Sequence, residues 1–173
     1  MIIKSFELSK IHKTKSNIFL LYGQNEGFKS EIIKKYFTNN FAGEILRYEE
    51  KEILNNKSIF FNELFSKSFF EEEKLIIISR STDSINKVIE ELLEKNLVDV
   101  KIVLNATALE KRSKLRKLFE ENINFVCIPV YEDNSQTLNF ISREFFKLNK
   151  IAISQETINL LIERSRGDRG NLT

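Results

Sequence analysis

The chain contains few of the residues that build disulfides, metal centres and redox sites. Its 173 residues include one cysteine, one histidine and no tryptophan. A lone cysteine cannot form an internal disulfide, and one histidine with one cysteine cannot complete a zinc site. Cys127 lies in the apolar run FVCIPVY, so we expect a small core side chain there and not a nucleophile. No metal site is expected.

Chain-breaking residues and long apolar runs are also scarce. The chain has one proline and five glycines, and no segment has the composition of a linker or a low-complexity tract. No apolar run approaches the roughly 18 residues of a membrane helix, and the N-terminal stretch MIIKSFELSKIHKTKS lacks the features of a secretory leader. We therefore expect a globular, cytoplasmic protein of one full domain, with room for part of a second.

Charge of one sign is not in large excess. The chain has 27 basic and 25 acidic residues, which gives a formal net charge of +2. Because so small a net charge creates no strong overall field, it does not require a nucleic-acid partner. Any basic surface has to be local.

Five short apolar runs predict buried strands. They are residues 17–22, 43–48, 74–79, 100–105 and 124–130. Between them the apolar residues follow helical spacing, and the clearest example is the set Ile85, Val88, Ile89, Leu92 and Leu93. Strands that alternate with helices predict a three-layer α/β domain over residues 1–132, with a five-stranded, mostly parallel sheet.

The pattern changes after this α/β region. Residues 133–173 carry two helical stripes with no strand between them, which predicts the start of a small helical lid domain. The sequence stops shortly after Gly167, at what resembles the opening of another helix. We therefore expect an incomplete lid domain and a chain that is a fragment.

The clearest motif lies between the first strand and the first helix, in LLYGQNEGFKSEII. Against the phosphate-loop pattern G-x-x-x-x-G-K-[ST], Gly23 takes the first position, and Lys29 and Ser30 take the last two. In such a loop, backbone N–H groups and the lysine bind phosphates, and the hydroxyl ligates magnesium. The second glycine is displaced, because Phe28 stands in its place and Gly27 comes one residue early.

Two required parts of a nucleotide site are therefore altered. The Phe28 side chain crowds a position that is normally bare. A carboxylate that holds magnesium is needed at the end of the third strand, but Arg80 stands there and Asp83 comes too late. The sequence predicts no hydrolysis and no cofactor. Two alternatives stay open: weak nucleotide binding, or a plain strand-to-helix turn with Lys29 in solvent.

Four segments resemble, in the same order, those of the delta subunit of the bacterial DNA polymerase III clamp loader. They are FLLYGQNEGFKSEII, NELFSKSFFEEEKLIIIS, LNATALEKRSKLRKLFEE and ISQETINLLIERSRGDRGNL. The resemblance covers essentially the whole chain, and the order of the four motifs carries it, because each motif alone is weak. It implies an AAA+ or P-loop-like α/β domain and a helical lid, followed in the family by a C-terminal collar domain that this sequence lacks.

The resemblance also implies a non-catalytic component of the polymerase III holoenzyme in DNA replication. Delta subunits bind the sliding clamp, the beta subunit, and help to hold it open while ATPase subunits of the loader place it on primed DNA. The expected partners are thus the sliding clamp and the other clamp-loader subunits, in a hetero-oligomer. A failed phosphate site fits this role.

By resemblance, the clamp-binding element falls on SKSFFEEEK. Phe69 and Phe70 match the apolar pair that enters the hydrophobic pocket of the clamp, and Ser68 takes the polar place before them. The family often has leucine where this sequence has Phe69. The two rings are adjacent and precede three glutamates, so one helix face cannot bury both. The alternative is that one ring continues the apolar stripe formed by Phe60, Phe61, Leu64 and Phe65.

A local basic run follows the fourth strand, in EKRSKLRKLFEE. Its cations are Lys111, Arg112, Lys114, Arg116 and Lys117. They predict either a solvated helix face or weak phosphate contacts with DNA that passes through the loader. No aromatic stacking platform accompanies them, so independent recognition of single strands is not expected.

The same residues support two rival functions. One is a divergent P-loop NTPase or small kinase that uses Lys29 and Ser30 with an unidentified acid. The other is a DNA-binding module that uses the basic run at residues 111–117. Phe28 and Arg80 argue against the enzyme, and the small net charge argues against an autonomous DNA-binding protein.

Overall fold

A single parallel sheet forms the centre of the molecule. The computed structural model describes residues 1–66, 73–95 and 97–172. The strands, which we number in chain order, are β1 Ile18–Tyr22, β2 Glu44–Glu49, β3 Lys74–Ser81, β4 Val100–Ala106 and β5 Phe125–Pro129. They lie in the order β2-β3-β4-β1-β5, and every pairing is parallel. The five predicted strands are therefore confirmed.

Seven α-helices connect and follow the strands in the described ranges. They are α1 Glu26–Ile33, α2 Glu50–Asn55, α3 Lys57–Phe65, α4 Asn86–Leu93, α5 Lys114–Glu121, α6 Ser135–Leu148 and α7 Gln155–Ser165. A π-helical turn, Lys34–Thr38, extends α1, and short 3-10 turns cover Leu8–Lys13, Asp83–Ile85 and Arg169–Asn171. The helix predicted from the spacing of residues 85–93 is α4, preceded by one of these turns.

Both faces of the sheet are covered, which explains why its strands read as continuous apolar runs. Successive strand residues point to opposite faces, so Leu20 packs with α3, α4 and α5 while Leu21 packs with α1 and the N-terminal turn. Both side chains are fully buried. The predicted three-layer α/β architecture is confirmed, since buried strands with helices on both faces are the arrangement that parallel sheets require.

Cys127 lies in the core, as predicted. Its side chain is fully buried in β5, among the residues that pack against α4 and α5. Burial raises the pKa of the thiol to about 12. A thiol that stays protonated in an apolar environment is unreactive.

The two helical stripes at the C-terminal end form α6 and α7. These helices pack against each other, and each has a buried apolar residue, Leu138 in α6 and Ile158 in α7. Asn134 and Ser154 cap their N-termini by accepting backbone hydrogen bonds, as these residue types do at helix starts. In the part of the chain that the structure describes, no helix combines the length and the apolar character needed to cross a bilayer.

Candidate functional site

The phosphate-loop frame is present at the carboxyl end of β1. Gly23 leaves the strand with φ of 142°, and a β-carbon there would lie 1.7 Å from the carbonyl oxygen of Val130. The buried Asn25 begins α1, because its side-chain oxygen accepts a hydrogen bond from the N–H of Phe28 at 3.0 Å. Glycine is therefore required at the first motif position by the fold itself, whether or not a phosphate binds.

Lys29 is turned toward the sheet. Its side chain is fully buried, and Nζ donates to the carboxylate of Glu26 at 2.6 Å and to the carbonyl of Ala106 at 2.5 Å. The alternative with Lys29 in solvent is thus wrong. Two of the three ammonium hydrogens serve partners within the chain, because an ammonium group can be buried only when it is paired and hydrogen-bonded. Ser30 follows on the exposed side of α1.

The displaced glycine contacts the C-terminal segment. The N–H of Gly27 donates to the Asp168 carboxylate at 2.9 Å, and the same Oδ1 accepts from the N–H of Gly170 at 2.8 Å. A β-carbon on Gly27 would lie 2.1 Å from the nitrogen of Gly170. The backbones of α1 and the turn Arg169–Asn171 therefore approach as closely as they do only because both positions are glycine.

Phe28 makes a cation–π contact with an arginine. The guanidinium carbon of Arg169 lies 3.6 Å from the centre of the Phe28 ring, within the range of a strong cation–π contact. Arg169 also holds Asp133 through two hydrogen bonds, of 2.8 and 2.6 Å, and Glu31 through one of 2.9 Å. Burial alone would lower the pKa of Arg169, but these two carboxylates raise it.

Asn25 joins the same cluster from the other side of the loop. Its amide nitrogen donates to Asp133 at 2.8 Å and to the carbonyl of Gly167 at 3.2 Å. Asp133 therefore binds both the loop, through Asn25, and the C-terminal segment, through Arg169. The sequence motif places none of Asp133, Asp168 and Arg169 in the site, although the short polar stretch GDRGN is a recognisable turn signal.

Arg80 lies inside β3, one residue before its end, and not after the strand as the sequence predicted. Arg80 has φ of 57° and pairs with Glu49 at 3.1 Å. Glu50, which the sequence did not single out, is buried and accepts hydrogen bonds from the N–H and the hydroxyl of Thr82, at 2.5 and 2.7 Å. Its carboxylate ties the start of α2 to the loop that follows β3.

Asp83 holds the start of α5. Its carboxylate accepts from the Ser113 hydroxyl at 2.5 Å and from the Leu115 N–H at 3.0 Å. Desolvation alone would raise the pKa of Asp83, but the hydrogen bonds outweigh it and lower the pKa. Over residues 1–66, 73–95 and 97–172, no group of three or more His, Cys, Asp or Glu side chains could hold a metal ion.

The predicted basic residues are not all on one surface. Lys111 and Arg112 lie in the turn before α5, and Lys114 and Lys117 are exposed on α5 itself. Arg116 instead binds Glu120 at 2.8 Å and stacks its guanidinium over Tyr22 at 5.0 Å. Four of the five cations are thus exposed to solvent, and Arg116 is largely committed to contacts within the fold.

The proposed clamp-binding residues Ser68, Phe69 and Phe70 lie outside the described residues. The helix before them, α3, ends at Phe65, and Lys74 ties its end to the start of β3. The buried ammonium of Lys74 donates to the carbonyls of Glu63 and Ser66, each at 2.6 Å, and to the Ser66 hydroxyl at 3.0 Å. Within α3, Phe60 and Leu64 are 2% exposed, whereas Phe65 is 40% exposed.

The sheet order, the two helical layers and the loop at the end of β1 form a three-layer α/β domain with a P-loop-like strand, loop and helix. No family model and no curated protein matches the chain. Among solved structures, it is similar to the DNA clamp loader delta protein of Bacillus subtilis (YqeN), with 15% identity and a TM-score of 0.59. That match covers 96% of this chain and 54% of the delta protein, so the chain spans about half the length of that relative.

Two further solved structures share the fold. Domain III of the replication initiation protein DnaA of Thermotoga maritima has 15% identity and a TM-score of 0.58, covering 97% of this chain and 79% of that one. The RuvB Holliday junction branch migration motor of the same organism has 14% identity and a TM-score of 0.60, covering 95% and 54%. At these identities the likeness shows the shared α/β fold alone.

Proposed function

We propose that this chain is the N-terminal part of a clamp-loader delta subunit. In this role it binds the sliding clamp and helps to open it for loading onto primed DNA, while other subunits of a hetero-oligomeric loader hydrolyse ATP. The proposal rests on the four sequence segments that resemble the family and on a fold shared with a clamp loader delta protein. It would act in the cytoplasm, where the replication machinery works.

The observation that carries the proposal is that phosphate-binding groups of the loop are bound by other residues of the same chain. Lys29 is bound to Glu26 and Ala106, and the Gly27 N–H is bound to Asp168. An AAA+ frame whose loop makes contacts within the chain suits a subunit that works by binding a partner. It does not suit one that works by turning over nucleotide, since a P-loop enzyme needs these same groups for phosphates.

The partner surface of this proposal is the segment that contains Ser68, Phe69 and Phe70. Aromatic side chains that enter a pocket are the usual anchors of protein interfaces. Contacts with DNA are secondary in this proposal, because only Lys111, Arg112, Lys114 and Lys117 of the basic run are exposed. Four such phosphate contacts give weak binding that falls steeply with salt.

Capture of the cognate sliding clamp tests the proposed function directly. The immobilised chain is expected to retain the purified clamp ring and to release it when soluble chain is added as competitor. An unrelated DNA-binding or nucleotide-binding protein of similar net charge serves as the control surface. Absence of clamp retention by folded chain would contradict the proposal.

We expect the chain to release no phosphate from ATP in the presence of magnesium. The physical reason is that Lys29 is bound within the fold and that Arg80 stands where a magnesium-binding carboxylate is required. The measurement is phosphate release by the wild-type chain beside Ser30→Ala and Lys29→Met. Turnover by the wild type that disappears in both variants would support the NTPase rival instead.

A further inference from the structure

We propose that the altered phosphate loop is a docking site for the chain's own C-terminal segment, residues 165–172, which we call the latch. Asp168 takes the backbone N–H that a phosphate would use, and Arg169 fastens the segment to Phe28, Asp133 and Glu31. The latch holds the helices α6 and α7 against the α/β domain without nucleotide. This inference goes beyond clamp binding and does not depend on it.

The position of the misplaced glycine supports the latch. Gly27 is the second residue of α1, and its N–H is one of the first four in the helix, which have no acceptor within the helix. The Asp168 carboxylate supplies the missing acceptor and also places a negative charge at the positive end of α1. The close approach of Gly170 leaves no room for a β-carbon at residue 27. Glycine therefore stands at position 27, where the latch approaches the backbone, and not at position 28, where the phosphate-loop pattern has its second glycine.

The phenylalanine at the second glycine position supports the same assignment. The centre of the Phe28 ring, which would crowd a phosphate, lies 3.6 Å from the guanidinium carbon of Arg169. The N–H groups at the edges of that guanidinium donate to Asp133 and Glu31. Both departures from the phosphate-loop motif, Gly27 and Phe28, thus form contacts with consecutive latch residues.

Asp133 closes the arrangement at the boundary between β5 and α6. It binds Arg169 of the latch and Asn25 of the loop, and its own N–H donates to the carbonyl of Gly167 at 2.9 Å. The loop, the start of α6 and the end of α7 are therefore joined by one hydrogen-bonded cluster.

Hydrogen exchange at the Gly27 amide, followed by NMR, tests the latch. Because this N–H has no acceptor within α1, its protection reports the Asp168 contact. Asp168→Ala is expected to speed its exchange by about ten- to a hundredfold, the range for loss of a hydrogen bond to a charged acceptor. Asp168→Asn keeps an acceptor oxygen and should have a smaller effect. The Phe28 amide, which is bound to Asn25, is the internal reference and should change little.

A second variant acts from the other side of the contact. Gly27→Ala suits a helix but puts a β-carbon 2.4 Å from Asp168 and 2.1 Å from Gly170. The amides of Gly170, Asn171 and Leu172, which are bonded within the latch, should then lose protection while α1 stays folded. Ser30→Ala, on the exposed side of α1, is the matched control.

Two results would overturn the proposal. One is unchanged protection of the latch amides in Gly27→Ala. The other is loss of protection at the amides of Gly170, Asn171 and Leu172 in the wild-type chain on addition of millimolar magnesium–ATP, because a nucleotide that displaces Asp168 would free the latch and make the loop a ligand site. Neither measurement involves the clamp. Failure of the latch proposal can therefore be distinguished from failure of the proposed clamp binding.

Discussion

Replacing Phe69 and Phe70 together by alanine is expected to weaken binding of the sliding clamp by a few hundred-fold, about 3 to 4 kcal/mol. If these rings enter a pocket on the clamp, truncation removes two aromatic anchors at once. Anchors of this kind carry most of the binding free energy of an interface. Titration of the clamp with wild-type and variant chains measures the loss.

The folded state is expected to tolerate the double change. The part of the α3 stripe that belongs to the core is Phe60 and Leu64, which are almost fully buried, whereas Phe65 at the end of the helix is 40% exposed. Within α3, the buried part of the stripe therefore ends at Leu64. Lys74 holds the end of α3 through hydrogen bonds to Ser66.

Thermal melts of the same variant separate an anchor from a core residue. Phe60→Ala is the positive control for core damage and should cost about 3 to 5 kcal/mol of unfolding free energy. Phe65→Ala is the control for an exposed ring and should melt close to the wild type. A large fall in melting temperature for the double variant, with clamp affinity kept by its folded fraction, would show that Phe69 and Phe70 belong to the core.

The sequence was sufficient for the sheet because burial on both faces leaves an unambiguous signal. A strand such as KLIIIS cannot alternate polar and apolar residues when helices cover both of its sides, so it reads as one apolar run. Likewise, the apolar spacing of α4 follows from one helix face that meets the sheet. These features depend on residues that are near in sequence, and they could be predicted.

The latch could not be predicted, because its parts are far apart in the chain. Asp168 and Gly27 are separated by 141 residues, and the contact of Arg169 with Glu31 spans 138. A local reading of the motif assigns Phe28 only a steric cost, since the guanidinium that covers it comes from another element. Pairings of this kind need the tertiary fold.

Arg116 shows the same limit within a single helix. In sequence it is one of five cations in seven residues, and nothing separates it from Lys114 and Lys117. In the fold its helical position turns it toward Tyr22 of β1, and Glu120, one turn further along α5, also binds it. A charged side chain with a partly buried stem and internal partners contributes to packing more than to a binding surface.

Gly23→Ala is expected to destabilise the fold by about 3 kcal/mol or more. The residue has φ of 142°, a conformation that costs a non-glycine residue about 1 to 3 kcal/mol by itself. The added β-carbon would also lie 1.7 Å from the Val130 carbonyl oxygen, which belongs to the backbone and cannot rotate away. In a chain of this size each kcal/mol shifts the melting temperature by about 2 to 4 °C, so a fall of roughly 6 to 12 °C is expected.

Gln24→Ala provides the matched control for this change. Gln24 is the next residue of the same loop, its side chain is exposed, and its substitution should leave the melting temperature nearly unchanged. If Gly23 were retained only to admit a phosphate, Gly23→Ala would melt like Gln24→Ala and would lose nothing but nucleotide binding. A melting temperature close to that of the control would therefore contradict the structural role of Gly23, whereas the expected fall attributes the first glycine of the motif to the packing of β1 against the end of β5.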